Sequence, residues 1–578
     1  MIRAVAVLVI GMLLIPGAAQ TQQSVHATPL PTTGRSVITT RYGIVAASQP
    51  LAAMAGIQVL ERGGNAVDAA IATNSVMGLM EPTSNGIGGD LFAIIYEAKS
   101  GKVYGLNASG WAPQELTPEF LAAKGVTKMP ESGIDSATVP GAVAGWQALH
   151  DRFGTLPLST LLKPAIYYAE NGVPINEITA GLWSLSVTFL AAHPNSAATY
   201  LIDGRAPKPG EIFRNPDLAK SLRRVADNGR DGYYKGVTAE AVVTISKEMG
   251  GAMTLEDLAD FQPEWVEPIS TTYRGWKVYE IPPNTQGIAA LMMLNLMEQF
   301  PLADYRFHSA RSLHTMIEAK KLAYADMLRY VGDPKFSKIP IEQMLDKQHA
   351  VERAKLITDH AQCSVEPSLL AGATDAKGKD TIYMTVMDKD GNIVSLIQSN
   401  YAGFGSGVVP KGMGFMLQNR GALFTLEKGQ PNTLAGHKRP LHTIIPAFME
   451  KGDIKIGFGI MGGWNQAQAH AQFVSDIVDY GLTIQQALEA GRFTKSTFEG
   501  CDVQVEERVP ENVRNQLGAM GHKVQSIPIR TPVFGYGQAV MSNGEGVHFG
   551  ASDPRHDGEA IPQPGPMFDA DSAKPANR

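Results

Sequence analysis

A threonine at the head of a strand is the residue best placed for chemistry in this sequence. The polar stretch at 360–380 is rich in Ser, Ala, Gly, Lys and Asp, as an exposed loop is, and it runs directly into Thr381. The residues from 381 to 387 alternate in polarity, which predicts a strand with two different faces. The Thr381 hydroxyl is a possible nucleophile, although threonine also begins many strands for structural reasons alone.

A second polar side chain is expected beside that hydroxyl. Residues 388–392 have turn composition, and a second strand follows at 393–399. If all of 388–392 form the loop, Thr381 lies opposite Ser399. A two-residue turn would place Asn400 there instead. In either register, a short polar side chain can hold the Thr381 hydroxyl in one rotamer.

Two glycines at a junction form a candidate site for negative charge. Gly462 and Gly463 follow an apolar strand pattern at 454–461 and precede a helical pattern at 465–478. Free backbone N–H groups and the helix dipole at such a junction favour a developing negative charge. Tight packing also places glycines at strand-to-helix junctions, without any catalytic role.

The elements around these candidates combine helices with antiparallel strands. Helices are predicted at 51–62 and 66–80, the second capped by Asn65, and a long helix is predicted at 313–330. Apolar runs at 91–96 and 103–106 predict a hairpin with at least one buried strand. The C-terminal third is rich in strands, so the sequence indicates mixed α and β structure.

Composition excludes several classes of function. The 578 residues are 18% charged and 44% hydrophobic, with 50 Lys+Arg against 56 Asp+Glu. This is a globular chain without the basic surface that nucleic-acid binding requires. The glycines at 86–89 precede a strand, whereas a dinucleotide-binding loop follows one. The 13 histidines are scattered and no HExxH motif occurs, so we predict neither a cofactor nor a metal.

The first 19 residues have the pattern of a signal peptide. Arg3 supplies the positive charge, 4–15 is apolar, and small residues precede Gln20. An apolar run of this length is too short to span a bilayer, and no later segment is long enough. The alternative is a buried first helix, but the polar stretch that follows favours a leader. We therefore expect an exported protein without a membrane span, in the periplasm or secreted.

Several ordered motifs resemble the gamma-glutamyltransferases (glutathione hydrolases), a family of N-terminal-nucleophile hydrolases. The motifs are GGNAVDAAIA (63–72), NGIGGDLFAIIY (85–96), TVPGAVAGW (138–146), DTIYMTVMDKDGNIVSLIQSNYAGFGSG (380–407), KRPLHTIIPA (438–447), MGG (461–463) and GASDPRHDG (550–558). The resemblance implies an α+β fold of four layers, αββα. It also implies self-cleavage before Thr381, into a mainly helical large subunit (41–380) and a strand-rich small subunit (381–578) that together form one composite domain.

The same resemblance assigns roles to the candidate residues. Thr381 becomes the N-terminal nucleophile, Ser399 supports its hydroxyl, and Gly462 and Gly463 form the oxyanion hole. The substrate-binding candidates are Arg420, Asn419, His442, Thr443, Tyr401 and Ser109, with His442 and Thr443 standing where the family has a pair of serines.

Two departures from the family affect substrate recognition. Ser109 lies in the segment where the family has an arginine for the α-carboxylate, and Leu423 stands near the position of the acid that binds the α-amino group. Arg420 introduces a positive charge nearby. An α-amino acid head would be poorly paired in such a site, whereas a glutaryl group carries a carboxylate and no ammonium. This pattern resembles the acylase-like branch of the family, which includes cephalosporin acylases.

The sequence therefore predicts an exported, self-processing amidohydrolase or acyltransferase for γ-glutamyl or related amides. The alternatives are a glutaryl or cephalosporin-type acylase and, in another class, a periplasmic binding protein that is never processed. The expected partners are a small amide or peptide substrate and the protein's own cleaved subunit, in a heterodimer. The two cysteines, Cys363 and Cys501, are expected to stay unpaired, because a bridge would restrain the loop before the cleavage site.

Overall fold

Two seven-stranded antiparallel sheets form the centre of the fold. The computed structural model of the protein describes residues 34–368, 370, 381–529 and 531–566, which all fall in one compact unit. The described strands, in chain order, are β1 (Ile38–Thr40), β2 (Ile44–Ala47), β3 (Asp90–Glu97), β4 (Lys102–Ala108), β5 (Val173–Pro174), β6 (Ile212–Phe213), β7 (Glu264–Val266), β8 (Ile269–Tyr273), β9 (Trp276–Glu280), β10 (Ile382–Met387), β11 (Ile393–Ser399), β12 (Ala447–Lys451), β13 (Ile454–Ile460), β14 (Phe493–Thr494), β15 (Asp502–Glu506), β16 (Lys523–Ile527), β17 (Gly537–Ser542), β18 (His548–Ser552) and β19 (Glu559–Pro562).

The strand order shows which elements are neighbours at the candidate site. One large sheet has the order β1-β18-β17-β13-β12-β9-β8. The other has the order β19-β2-β10-β11-β3-β4-β7. The strands that follow position 381 are therefore interleaved, in both sheets, with strands that precede it.

Helices cover the outer face of each sheet. The described α-helices are α1 (Pro50–Glu61), α2 (Ala66–Met80), α3 (Pro118–Ala123), α4 (Ala142–Phe153), α5 (Leu158–Leu161), α6 (Lys163–Asn171), α7 (Glu177–Ser184), α8 (Val187–Ala191), α9 (Pro194–Tyr200), α10 (Pro216–Asn228), α11 (Asp231–Tyr234), α12 (Gly236–Glu248), α13 (Leu255–Asp260), α14 (Gly287–Met297), α15 (Leu302–Tyr305), α16 (Ala310–Tyr330), α17 (Ile341–Met344), α18 (Lys347–Ala354), α19 (Asn465–Val478), α20 (Ile484–Glu489) and α21 (Glu511–Ala519). The architecture is the four-layer αββα sandwich that the resemblance implied.

The alternation along β10 explains the layering. Ile382, Met384 and Val386 are buried in one apolar cluster with residues of α1 and α2. Tyr383 and Met387, on the opposite face, are buried in the cluster between the two sheets. A strand with both faces buried must alternate between two packing environments, and the predicted alternation at 381–387 is confirmed.

The predicted helices and their caps are also confirmed. The Asn65 side chain accepts hydrogen bonds from the backbone N–H groups of Val67 and Asp68, and the Asp68 carboxylate accepts from the Asn65 N–H. This reciprocal arrangement satisfies backbone donors that a helix start otherwise leaves without partners. α2 is buried almost all round, as its uniformly apolar sequence requires.

The expectation that the cysteines stay unpaired is wrong. Cys363 and Cys501 form a disulfide with their Cα atoms 4.6 Å apart. The segment around Cys363 is already held in place, because its carbonyl accepts from the Gly500 N–H at 2.8 Å and the Gln362 N–H donates to Glu318 at 3.1 Å. The bridge therefore joins two segments that are positioned without it, and a need for movement at 381 does not extend back to Cys363.

The predicted leader at 1–19 and the residues just before Thr381 lie outside the described residues. None of the helices in the described part of the chain combines the length and apolar character that a membrane crossing requires.

Candidate functional site

The Thr381 hydroxyl lies at the start of β10, buried between the two sheets. Met387 pairs with Ile393 and Ile382 pairs with Gln398, so the loop at 388–392 has the five-residue form and the register places Thr381 opposite Ser399. The Thr381 hydroxyl donates to Ser399 Oγ at 3.3 Å. The predicted contact between the two hydroxyls is confirmed.

A glutamine is the second partner of the Thr381 hydroxyl. Gln466 Nε2 donates to Thr381 Oγ1 at 3.3 Å, and Gln466 Oε1 accepts from the Ile445 N–H at 3.1 Å. Gln466 follows Gly463 by three residues in the first turn of α19. Sequence reasoning did not identify Gln466, although its place three residues after the glycine pair was a usable signal.

Arg420 is a fully buried cation two hydrogen bonds away from the Thr381 hydroxyl. Its Nη2 donates to Ser399 Oγ at 2.8 Å and its Nη1 to Thr443 Oγ1 at 2.7 Å, and its guanidinium carbon is 4.5 Å from the ring centre of Tyr401. Burial lowers the pKa of Arg420 to about 10, which leaves it charged at neutral pH. Among the described residues, no carboxylate lies within the 4.0 Å of an ion pair with this guanidinium, and its Nε has no hydrogen-bond partner.

Asp90 and His442 form a buried pair behind this network. Because the Ile444 N–H donates to His442 Nδ1 at 3.3 Å, the imidazole proton is on Nε2, which donates to Asp90 at 2.9 Å. Burial holds the pKa of His442 well below its usual value, with a smaller contribution from the Arg420 charge. Burial also raises the pKa of Asp90 to about 7, although Arg420 acts in the opposite direction. His442 is therefore neutral, and neither of its nitrogens can accept a proton without losing a hydrogen bond.

The glycine pair adopts a backbone conformation that side chains disfavour. Gly462 has φ +123° and Gly463 has φ +60°, and a Cβ at Gly462 would lie 3.1 Å from the Cα of Gly535. The carbonyls of both glycines accept hydrogen bonds from the first residues of α19, whereas neither of their N–H groups has an acceptor among the described residues. Two such N–H groups at a helix start can bind an oxyanion.

Two other predicted contacts lie at the border of this network. Ser109 Oγ accepts from Asn284 Nδ2 at 3.2 Å, and the neighbouring Gly110 N–H donates to Asp90 at 2.8 Å. Asn419 accepts from the Ala402 N–H at 3.1 Å and donates to the Glu131 carbonyl at 2.7 Å. Both amide atoms of Asn419 thus connect loops, which indicates a structural role.

Gln286 joins the two halves of the site. Its Nε2 donates to the carbonyls of Thr443 and Gly463, the latter at 2.7 Å. The side chain thereby connects the residue that holds Arg420 with the glycine pair. Gln286 belongs to a segment far earlier in the sequence, and no local pattern distinguishes it.

A cluster distant from this network offers three possible metal ligands. His314, Glu318 and His522 are buried with their ligand atoms within 4.8 Å of one another. The Lys321 ammonium lies 2.6 Å from the Glu318 carboxylate, and burial, followed by the Lys321 charge, lowers the pKa of His522 to about 3. Since Lys321 already compensates Glu318, a divalent cation would add uncompensated positive charge to a buried position. We assign no metal to this cluster.

Comparison with known proteins identifies the family. The sequence model of the gamma-glutamyltranspeptidase family matches residues 52–563. The glutathione hydrolase-like YwrD proenzyme of Bacillus subtilis (strain 168) is 37% identical over 538 residues, which cover 91% of this chain and 99% of that protein. The glutathione hydrolase proenzyme of Escherichia coli (strain K12) is 33% identical over 535 residues, which cover 89% of this chain and 90% of that protein.

A solved structure of the same architecture extends the comparison. The cephalosporin acylase from Bacillus halodurans superimposes with a TM-score of 0.86 at 41% identity, covering 93% of this chain and 98% of that chain. The sequence matches therefore extend over almost the whole chain, and the four-layer fold is shared. The protein is a hydrolase of the gamma-glutamyltranspeptidase family, within the N-terminal-nucleophile hydrolases.

Proposed function

We propose that the protein cleaves itself before Thr381 and then uses that residue as an N-terminal nucleophile for amide hydrolysis or acyl transfer. In the first step the Thr381 hydroxyl attacks the carbonyl carbon of Asp380, and an N-to-O shift converts the peptide bond into an ester. The shift breaks the C–N bond and so frees the α-amine, and water then hydrolyses the ester, which separates the two pieces and restores the Thr381 hydroxyl. The observation that carries the proposal is the buried Thr381 hydroxyl between Ser399 and Gln466, at a helix start where the N–H groups of Gly462 and Gly463 have no acceptor among the described residues.

The released α-amine is the general base of the proposed reaction. Its reference pKa of about 7.7–8.0 lies near neutrality, so it can take the proton of its own hydroxyl. The hydroxyl oxygen then forms an acyl-enzyme, and water or an acceptor amine takes the acyl group. The N–H groups of Gly462 and Gly463 would stabilise the oxyanion. His442 is unsuited to act as the base because both ring nitrogens are already hydrogen bonded.

Arg420 points to an acyl group with a free carboxylate. Within the part of the chain that the structure describes, the buried Arg420 guanidinium donates to two hydroxyls and pairs with no carboxylate, so a substrate that supplies a carboxylate gains a strong interaction. The carboxylate of Asp90 cannot easily fill this role, since it already accepts hydrogen bonds from His442, Gln418 and Gly110. Leu423 is buried among apolar residues and offers nothing to an α-ammonium group. We therefore favour glutaryl-type amides, a class supported by the likeness to a cephalosporin acylase.

Hydrolysis of γ-glutamyl amides is the second candidate. It is supported by the identity to the glutathione hydrolase proenzyme of E. coli along nearly the full length of both proteins. The two candidates share the nucleophile and the oxyanion hole, and they differ in whether the site pairs an α-ammonium group.

Export to the periplasm or the medium also belongs to the proposal. The leader pattern at 1–19 motivates it, and the disulfide between Cys363 and Cys501 supports it, because structural disulfides persist in oxidising compartments. Cell fractionation with N-terminal sequencing of the mature protein tests it. A cytosolic protein that retains residues 1–19 would contradict export.

N-terminal sequencing of the purified protein tests the mechanism. A reducing, denaturing gel should show pieces corresponding to 20–380 and 381–578, with Thr381 at the start of the smaller piece. Thr381→Ala should remain one chain, and Thr381→Ser should process and turn over more weakly. An active protein that stays in one piece would refute the mechanism, and an inactive, intact protein would favour the unprocessed binding protein.

A further inference from the structure

Gln466 is held so that its amide nitrogen faces the Thr381 hydroxyl. The side chain is fully buried, and the Ile445 N–H donates to its Oε1 at 3.1 Å. Because that contact occupies the oxygen, the amide cannot flip without losing a hydrogen bond. Its Nε2 then lies 3.3 Å from Thr381 Oγ1 as a donor. The backbone adds to this rigidity, since the Gln466 N–H donates to the Gly463 carbonyl at 3.2 Å.

A donor at this position is useful at particular steps of the reaction. In ester hydrolysis, water attacks the acyl carbon, the bond between that carbon and Thr381 Oγ1 breaks, and the electron pair moves to Oγ1. The oxygen then takes the proton that the α-amine removed from the water. The glycine N–H groups serve the carbonyl oxygen, not Oγ1, and a neutral donor fixed beside Oγ1 stabilises its charge until the proton arrives from the α-amine.

We propose that Gln466 is a catalytic residue that stabilises the negative charge on Thr381 Oγ1 as this oxygen leaves the ester. The inference rests on the proposed function, because it requires an ester on Thr381. It applies both to the ester formed during self-cleavage and to the acyl-enzyme formed from substrate. Gln466 transfers no proton in either reaction and acts only as a hydrogen-bond donor.

The proposal distinguishes ester hydrolysis from ester formation. When an anilide acylates the enzyme, the difficult event is expulsion of the aniline nitrogen from the tetrahedral intermediate, in which Oγ1 is already bonded to carbon and carries no charge. The N–H of Gln466 contributes little to that event. Loss of the donor should therefore slow hydrolysis of the acyl-enzyme by about 10- to 100-fold, the range expected for a hydrogen bond to a charged group. It should change kcat/KM for an anilide much less.

Two substitutions and one matched control test the assignment. Gln466→Glu keeps an acceptor for the Ile445 N–H, and Gln466→Met keeps the volume without polar atoms. Gln472→Glu is the control, because Gln472 lies on the same helix, accepts from the Phe493 N–H and donates only to backbone carbonyls. Each protein is mixed with glutaryl p-nitroanilide, p-nitroaniline release is followed from the first turnover, and the intact small subunit is weighed by mass spectrometry.

The expected result is a change in the rate-limiting step. The Gln466 variants should release a burst of about one p-nitroaniline per site, turn over slowly afterwards, and carry the acyl mass on the peptide that begins with Thr381. The Gln472 control should behave as the wild type. A variant that fails to process should yield the two pieces on treatment with neutral hydroxylamine, which cleaves a stalled ester.

Other outcomes would overturn the assignment. Equal losses of kcat and kcat/KM without acyl accumulation would reduce Gln466 to a structural residue, and so would an unprocessed chain that hydroxylamine leaves intact. If the wild type itself shows no cleavage before Thr381 and no acyl mass, the proposed function fails. That result is distinct from a wild type that is cleaved before Thr381 and hydrolyses the anilide while the Gln466 variants match the control, which overturns only the assignment of Gln466.

Discussion

The interaction between Arg420 and a substrate carboxylate can be measured by removing each partner in turn. The perturbation is Arg420→Met on the enzyme and, on the substrate, glutaryl anilide replaced by pentanoyl anilide, in which a methyl group stands in place of the carboxylate. Breaking a fully buried charge pair costs about 3–5 kcal/mol. Since about 1.4 kcal/mol corresponds to a factor of ten, the wild type should prefer the glutaryl substrate by at least roughly 100-fold in kcat/KM.

The second substrate is needed because Arg420 also holds the site together. It donates to both Ser399 and Thr443, so its loss will slow every substrate, including the neutral one. The ratio of kcat/KM for the two substrates is therefore compared between the two proteins, because an effect that slows both substrates equally cancels in that ratio. The assay is steady-state p-nitroaniline release by both proteins with both substrates, at one pH and ionic strength.

The expected outcome is a preference that disappears with the arginine. In Arg420→Met the ratio of kcat/KM for the two anilides should fall to about one, within the accuracy of such cycles. An unchanged ratio would refute the reasoning, because the carboxylate would then be recognised elsewhere. A γ-glutamyl anilide should be slower than the glutaryl compound on the wild type. A clear preference for γ-glutamyl would restore glutathione-type hydrolysis as the leading function.

Three further outcomes follow from the geometry. On a non-reducing denaturing gel the processed protein should run as one band that dithiothreitol splits, whereas Cys501→Ser should run as two bands without reductant. The second outcome compares Thr381→Ala with the double variant that also carries Asp90→Asn. The melting temperature of the protein with Asp90, minus that of the double variant, should fall as the pH rises from about 4 to 7 and should then level off. The reason is that burial keeps a proton on Asp90 up to a pKa of about 7, well above its value in the unfolded chain; parallel melting curves would contradict it. Gly462→Ala should lower kcat by about 100-fold or more, whereas Gly481→Ala, which also has positive φ but open space around its Cβ, should affect stability only.

The parts of the site that were predictable depend on local pattern. The alternation at 381–387 and the turn composition at 388–392 were sufficient to pair the two strands in the observed register. That register alone brings Ser399 beside Thr381. The glycine pair was found in the same way, because a strand pattern ends and a helical pattern begins on either side of it.

The residues that were missed are brought to the site by tertiary packing. Asp90 reaches it because β3 pairs with β11, which sets Asp90 opposite Ser399. Gln286 carries no charge and follows no period, so nothing in the sequence separates it from other glutamines, and Gln466 is marked only by its place three residues after Gly463. Their importance depends on distances between segments that are far apart in the chain, and single-sequence patterns contain no such information.

The disulfide illustrates a different limit. Unpaired cysteines would be required only if the whole polar stretch at 360–380 moved during self-cleavage. In the structure, Ala361 and Cys363 belong to a fixed segment. The Ala361 N–H donates to the Met520 carbonyl at 2.8 Å, and the Cys363 carbonyl accepts from the Gly500 N–H at 2.8 Å. The composition identifies the loop, but it does not show which of the loop's residues are still hydrogen bonded to the rest of the fold.

The interleaved sheets determine what the bridge can and cannot do after cleavage. β10 pairs with β2 on one side, β11 pairs with β3 on the other, and both β2 and β3 precede the proposed cut. Separating the pieces would expose these strand edges and the apolar clusters on either face, so the noncovalent contacts alone should hold the two pieces together. Cys501→Ser should therefore elute as one assembly under native conditions even though it separates on a denaturing gel. The bridge then acts mainly on the new C-terminal end of the large piece, by tying the segment at Cys363 to the small piece.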